Sequence, residues 1–508
     1  MLRPFLIALL IAGVPAFAAK PPKTAKAPKG AEETQAASFM GSTTASNGPY
    51  VLESLAMPSG VKVEASGLAT MTDGRLAVST RNGDVWLFKM DGSPAQRFAS
   101  GLHEPLGLAF HEGALYATQR SEVTCMRDTD GDGVADEYST YAKGWGVSGN
   151  YHEYAYGPVF DPKGTAWITL NIGLGPHWEA AMPKDEHARW RGWCLTIPPG
   201  GGKLIPMACG LRSPCGIGTN LDGDVFGSDQ QGNWWPAGPL LHLRKGAFFG
   251  HAESLPDAKS PDSPVKDPGK VPEEITIAQA IHQVPGYVPP AVWFPYVKMG
   301  QSCTGVICDS TNGKFGPFAG QMLVGEFVIA GINRVFLEKV GGEYQGACFP
   351  FLTAFDCAVL QMAFLPDGSL AAGETNRGWN SLGTRSFGVQ RVKWTGETPF
   401  EVLKMEATKE GFRFTFTQPV QLASAVAESF AATSYTFLYH SKYGSPEVET
   451  QPVMVKSLKL DEDKRSLTVD CESLREGFVH EFHLEGIRSS QGKPLLHTQA
   501  CYNLNRRP

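Results

Sequence analysis

The chain is 508 residues long, 42% hydrophobic and 10% aromatic, with a formal charge of −6. Apolar content on that scale supplies the core of a large globular protein of ~2 to 3 domains. The acidic balance argues against nucleic acid as a partner, because that binding needs a basic face.

Residues 1–18 read as a secretory signal peptide, with Arg3, an apolar run over 5–17 and the small-x-small ending Ala16-Phe17-Ala18. The run is shorter than the ~20 residues a membrane crossing needs, and no later stretch is long and apolar enough to span. No Cys follows the cleavage site to carry a lipid, so a soluble periplasmic or secreted protein is expected. Residues 19–48, rich in Lys, Pro, Ala, Ser and Thr, read as a disordered leader.

From residue 49 one phrase recurs: apolar strand, Gly-containing turn, apolar strand. It occupies 67–79 around Gly74, 105–118 around Gly113, 156–170 around Gly164, 211–251 with its turn at Gly223, 305–326 around Gly320, and 360–374 around Gly368. A blade-sized sheet cannot bury its faces alone, and recurrence at roughly 40 to 60 residues is the mark of a radial β-propeller. The 57 glycines suit turns at positive φ and inner strands that converge on a channel. The predicted fold is all-β: a six-bladed β-propeller over 49–396 followed by a small Ig-like β-sandwich over 397–508. The long step from Gly223 to Gly320 reads as an insertion at about 252–292, with a helix-like run at 273–283; a hidden seventh blade is the competing account.

After residue 396 Gly becomes sparse and strands alternate, as in Leu467, Val469 and Cys471 on one face. This predicts a separate sandwich of immunoglobulin-like size, in which His440, His480, His483 and His497 take surface or packing roles. The ten Cys residues are an even number, and an oxidising compartment would pair most of them. Cys471 with Cys501 is the leading pair; Cys303 with Cys308 and Cys348 with Cys357 follow. No CxxCH is present, which excludes a covalent c-type haem.

Three constellations carry candidate chemistry. In 127–137 (RDTDGDGVADE), Asp128, Asp130 and Asp132 at alternate positions, the Val134 carbonyl and Asp136 form the oxygen set of a Ca²⁺ loop, although Ser139 stands where an EF-hand has Glu. Such an ion staples a hairpin rather than reacting. In 150–158 (NYHEYAYGP), His152 precedes an inner strand, placed to take a proton from a substrate hydroxyl; a structural His is the alternative. Third, Asp229, Glu326 and Glu374 end second strands and would point to one channel mouth, either as ligands or as caps of main-chain groups. Beside them lie Arg212, Gln230, Asn233, Trp234, Asn376, Arg377 and Trp379, a polar and aromatic set suited to a polyhydroxylated ligand.

The text GLRSPCGIG…DGDVFGSDQQGNWWP…LRKGAFFGH resembles the sorbosone and soluble quinoprotein glucose dehydrogenase superfamily, and is most similar to a branch described as membrane-bound dehydrogenases, whose members often append a haem domain that this chain lacks. The likeness covers most of 60–395, including GLHEPLGLAF, DTDGDGVADE, YHEYAYGPVFDPKG, KFGPFAGQMLVGE and LQMAFLPDG. It implies a six-bladed propeller with Ca²⁺ and pyrroloquinoline quinone. His152 would abstract the hydroxyl proton as hydride passes to the quinone, Arg212 would orient cofactor or substrate, and Asp229 would tune the site. Where the quinone-binding relatives carry an Arg-rich phrase, this chain reads Phe355-Asp356-Cys357-Ala358-Val359-Leu360, so cofactor binding falls to Arg212, Gln230, Arg334 and Arg377, with Lys298 in reserve. Trp234, Glu326, Glu374, Asn376 and Trp379 would bind substrate. The expected function is oxidation of a sugar or polyol with an external electron acceptor. The alternative is a non-catalytic propeller that binds glycans or a protein partner, and a Ca²⁺-assisted lactone hydrolase is a third reading.

Overall fold

The computed structural model describes residues 47–173 and 188–508, so the expected signal peptide, and the expected leader up to residue 46, lie outside the described residues. Each Gly-centred phrase forms an antiparallel hairpin; five of these hairpins start four-stranded sheets, and the sixth starts four successive strands of a larger nine-stranded sheet. The sheets are numbered I to VI. Their first strands are Ala65–Thr70, Leu108–His111, Ala155–Phe160, Gly216–Thr219, Cys303–Cys308 and Val359–Phe364. These strands neighbour one another in a closed cycle, I to VI and back to I. The circle is fastened by the N-terminal strand Tyr50–Ser54, which pairs with Phe387–Trp394 as the outer strand of sheet VI. The arrangement is consistent with a β-propeller.

Glycine lets the inner strands approach. A Cβ on Gly216 would lie 2.0 Å from the Thr304 carbonyl oxygen, and one on Gly218 would lie 2.2 Å from that of Val306. These contacts advance together along both strands, so the two strands run parallel, and successive strands within each sheet reverse direction. Loops before first strands and after second strands therefore share one face, the mouth. The Gly-centred turns share the opposite face, where the far ends of the first strands line a cavity of about 620 Å³.

Sheet IV takes its fourth strand, Val292–Phe294, only after a long excursion. That excursion holds a 3-10 helix, Ala252–Lys259, and an α-helix, Ile277–Gln283, which starts at a reciprocal Thr276–Gln279 capping box. Its one short strand, Ile275–Thr276, pairs with the C-terminal region.

The C-terminal region has two layers: Val402–Ala407, Gly411–Phe416, Ser466–Cys471 and Val455–Leu460 form one, and Ala431–Tyr439, Phe478–His483 and Gln499–Leu504 lie in the other. Leu467, Val469 and Cys471 face inward together, as alternation predicts. The region is not separate, which corrects the expectation. Gln499–Leu504 pairs with Glu343–Leu352, the outer strand of sheet V, so one sheet runs through both units. A ten-residue outer strand leaves a long row of unpaired backbone groups, and this pairing covers it.

The expected disulfides are also corrected: all ten cysteines are free and buried. Cys303 and Cys308 sit on one strand, opposite Glu326 and Met322, whose separation of four strand residues is about 13 Å, too far for a disulfide. Cys471 and Cys501 belong to different layers, and Cys501 stands opposite Cys348 instead.

Candidate functional site

His152 is held by a loop that satisfies itself. The His152 N–H donates to Asn150 Oδ1 at 3.0 Å, and Glu153 accepts both the N–H and the hydroxyl of Ser148 at 2.6 Å. The imidazole lies 3.0 Å by Nδ1 from the carbonyl oxygen of Ile172 and 3.1 Å by Nε2 from Ser213 Oγ. A carbonyl only accepts, so Nδ1 carries the proton and Nε2 presents a lone pair. Burial, with the nearby Arg212 charge, pushes the His152 pKa down to about 4. At neutral pH it is an uncharged base.

Asp229 holds the other side of this contact. Its carboxylate accepts the backbone N–H groups of Arg212, Ser213 and Gln230, each at 2.7 Å. The Arg212 side chain donates to Asn233 Oδ1 at 2.8 Å and to Ser213 Oγ at 3.2 Å. Ser213 thus joins base to cation, a role that sequence reasoning missed. A lone serine between Arg and Pro carries no motif of its own.

Glu326 and Glu374 occupy the position equivalent to Asp229 in their sheets, and they too are fully buried. Glu326 accepts the N–H groups of Gln301, Ser302 and Ile329, and Glu374 accepts that of Cys357 at 2.8 Å. Burial raises Asp229 to about 6, Glu326 to about 7 and Glu374 to about 8. The geometry is that of caps that pin the loop before each first strand, in place of the substrate contacts expected for Glu326 and Glu374.

The remaining predicted residues divide. Arg334 is not at the mouth, a correction: it lies buried between the Phe318 and Phe349 rings and donates to Gln321 Oε1 and the carbonyls of Val402 and Leu403. It ties sheet V to the C-terminal region. Lys298 is committed to Glu447 and Glu481. Arg377 is at the mouth, paired with Glu64 and Asn82. Asn376 bonds the Ala358 N–H and the Arg385 carbonyl, Gln230 bridges to Ser302, and Trp234 is buried against Tyr439. Trp379 is exposed.

Three arginines outside the expected set gather beside His152, around Tyr154, whose ring centroid is 5.8 Å from that of the imidazole. Arg81 donates to the Tyr154 hydroxyl at 2.7 Å, Arg191 to its carbonyl at 2.9 Å, and the Arg120 guanidinium lies 6.0 Å from its ring. Arg81 and Arg120 share one carboxylate, Glu104. Arg81 Nε and Arg191 Nη2 are buried without a partner. Unpaired donors of this kind suit an anionic group. The signal was present in the repeat: Arg81, Arg120 and Arg377 each follow the second strand of a sheet by one or two residues.

The acidic loop lies elsewhere. It joins the third and fourth strands of sheet II, hence on the face opposite the mouth. Ligand atoms of Asp128, Asp130 and Asp136 lie within 4.8 Å of one another. The Thr129 hydroxyl and N–H bond Asp136 and hold its pKa below the usual carboxylate range. Asp132 accepts the Val134 N–H at 2.7 Å, and Gln96 from sheet I donates to the Asp132 carbonyl.

A family model described as a domain of unknown function, DUF7133, matches residues 82–369. The chain belongs to this family. The matched span holds His152, Ser213, the Tyr154 arginines other than Arg81, and the acidic loop. No curated protein matches the chain. Among solved structures, it is similar to an oxidoreductase (glucose dehydrogenase) of Thermus thermophilus, with 18% identity and a TM-score of 0.49 over 68% of this chain and 99% of that one. The PQQ-bound aldose sugar dehydrogenase of Streptomyces coelicolor gives 14% and 0.47, over 69% and 99%. The apo-form soluble aldose sugar dehydrogenase of Escherichia coli gives 13% and 0.46, over 68% and 99%. These belong to the class that the sequence resembles. Among the described residues no helix is long and apolar enough to cross a membrane.

Proposed function

We propose that this chain is an exported sugar or alcohol dehydrogenase, built as a six-bladed propeller with an Ig-like sandwich, in which His152 is the general base. The observation that carries the reading is the neutral imidazole with Nδ1 on the Ile172 carbonyl and Nε2 as an acceptor facing the Ser213 hydroxyl. A substrate hydroxyl that replaces Ser213 Oγ as donor would give its proton to Nε2. Arg212, already on Ser213 Oγ, would hold that oxygen as negative charge develops on it. A pyrroloquinoline quinone, when bound, supplies the two-electron acceptor for the hydride that leaves the carbinol carbon, and an external acceptor then reoxidises it. Arg81, Arg120 and Arg191 would hold its carboxylates, since the unpaired donors of Arg81 and Arg191 fit an anion there.

Calcium in the loop of Asp128, Asp130, Asp132, Val134 and Asp136 would be structural, as it lies on the opposite face from His152. That distance also disfavours a lactonase in which the ion polarises the carbonyl. The test is reconstitution of purified protein with quinone and Ca²⁺, followed by dye reduction over a sugar and polyol panel. Reduction that His152→Ala abolishes while quinone still binds supports the reading. No quinone binding and no reduction, with His152→Ala silent, overturns it.

A further inference from the structure

The C-terminal region reaches the mouth. Its loop between Ala431–Tyr439 and Glu447–Pro452 lies on the sheet IV loop that carries Asn233: the Trp234 N–H donates to the His440 carbonyl at 3.0 Å, the Gly444 N–H to the Gly232 carbonyl at 2.9 Å, and Tyr443 bridges to Asn233. Tyr443 is thereby fixed by its backbone with its ring centroid 5.5 Å from the Arg212 guanidinium carbon, yet the residue is 70% exposed. A rigid aromatic ring left in water beside the one arginine that touches Ser213 calls for a ligand.

It has company. Among the described residues the exposed aromatic side chains are Tyr138, Tyr151, Trp379 and Tyr443. All but Tyr138 stand on mouth loops: Tyr151 before the first strand of sheet III, Trp379 after the second strand of sheet VI, and Tyr443 over sheet IV. Sheets III and VI lie opposite each other in the cycle. The two loops therefore stand across the mouth from each other.

We propose that the mouth is an aromatic rim for an oligosaccharide chain, with Tyr443 of the C-terminal region as the stacking wall next to Arg212. The proposal rests on the dehydrogenase reading for what happens at His152, but not for binding. Sugar C–H faces pack on the rings while Asn233 and Glu253, bonded to each other at 2.8 Å, offer polar edges to the hydroxyls.

Calorimetric titration with length series of β-1,4-linked glucose, mannose and galacturonate oligomers tests it, on the full chain and on Tyr443→Ala, Tyr443→Phe and Trp379→Ala proteins that melt as the wild type does. For one series, affinity should climb with chain length. Tyr443→Ala should weaken the long oligomers about three- to tenfold, Tyr443→Phe should restore them, and Trp379→Ala should flatten the length dependence. Binding of this pattern without quinone-linked oxidation keeps the rim and removes the dehydrogenase reading. Equal affinity for monomer and oligomer, unchanged binding by Tyr443→Ala, or no binding in any series overturns the rim.

Discussion

Replacing Asp229 with Asn separates a cap from a catalytic acid. At pH 8 the carboxyl, lifted by burial to about 6, is ionised and accepts three backbone N–H groups at 2.7 Å. Asn keeps the volume but only one acceptor oxygen. Two N–H groups can remain on it, and the new amide then faces the third, donor against donor. Losing one bond to a charged acceptor inside a buried site costs about 1.5–3 kcal/mol, and stranding the N–H brings the expected total to about 2–4 kcal/mol. Equilibrium unfolding in guanidinium should show the midpoint falling with the slope unchanged. Activity should fall too, because the Arg212–Ser213 backbone that presents Ser213 Oγ to His152 is what the carboxylate pins. A variant within about 0.5 kcal/mol of wild type that nevertheless loses turnover would refute the capping argument and return Asp229 to the chemistry.

Four further outcomes follow from the same contacts. With His152 lowered to about 4, proton abstraction needs no deprotonation step near neutrality, so kcat/KM should stay flat from pH 8 to 5 and halve near pH 4; an acid limb near 6.5 contradicts the buried imidazole. Glu374, raised to about 8 from 4.5, contributes stability that is full below 4.5 and lost as pH rises through about 8, so Glu374→Gln should flatten the fall in unfolding free energy between pH 5 and 9. A calcium chelator, or Asp130→Asn, should lower Tm in a manner reversed by added Ca²⁺ only in the wild type, and an unchanged melt with no calcium by elemental analysis refutes that loop. Arg334→Ala should destabilise by about 3–5 kcal/mol in equilibrium unfolding, since the Val402, Leu403 and Gln321 acceptors lose their donor.

Legibility in the sequence followed the range of the physics. Hairpins are local, and every Gly-centred phrase lands on one because positive φ at Gly74, Gly113, Gly164, Gly223, Gly320 and Gly368 is a single-residue demand. His152 was visible through its place before a first strand. Ser213 was not, because sheets III and IV must pack before it meets His152, nor was the Arg81, Arg120 and Arg191 cluster, because three sheets must close on each other before those side chains meet at Tyr154. Arg334 was misplaced for the converse reason: a free-looking cation in the text is satisfied by carbonyls from a strand nearly seventy residues later. The disulfide pairs failed because pairing by proximity in sequence ignores the rise of an extended strand, which holds Cys303 and Cys308 about 13 Å apart.

The C-terminal region shows what fold-level pattern leaves out. Alternation alone made it an independent sandwich, and its two-layer core of Phe412, Phe414 and Phe482 agrees with that description. Yet the ten-residue outer strand of sheet V is an aggregation edge unless something covers it, and Gln499–Leu504 does so at Gly346, Ala347 and Cys348. Once that edge is joined, Phe478–His483 and then Ala431–Tyr439 continue the same sheet, and the loop that follows Ala431–Tyr439 reaches sheet IV. Covering an edge and placing Tyr443 at the mouth are then consequences of one pairing. Substitutions that break the Cys348–Cys501 register should disturb ligand binding at the mouth through Tyr443, even though no residue of that ladder lies there.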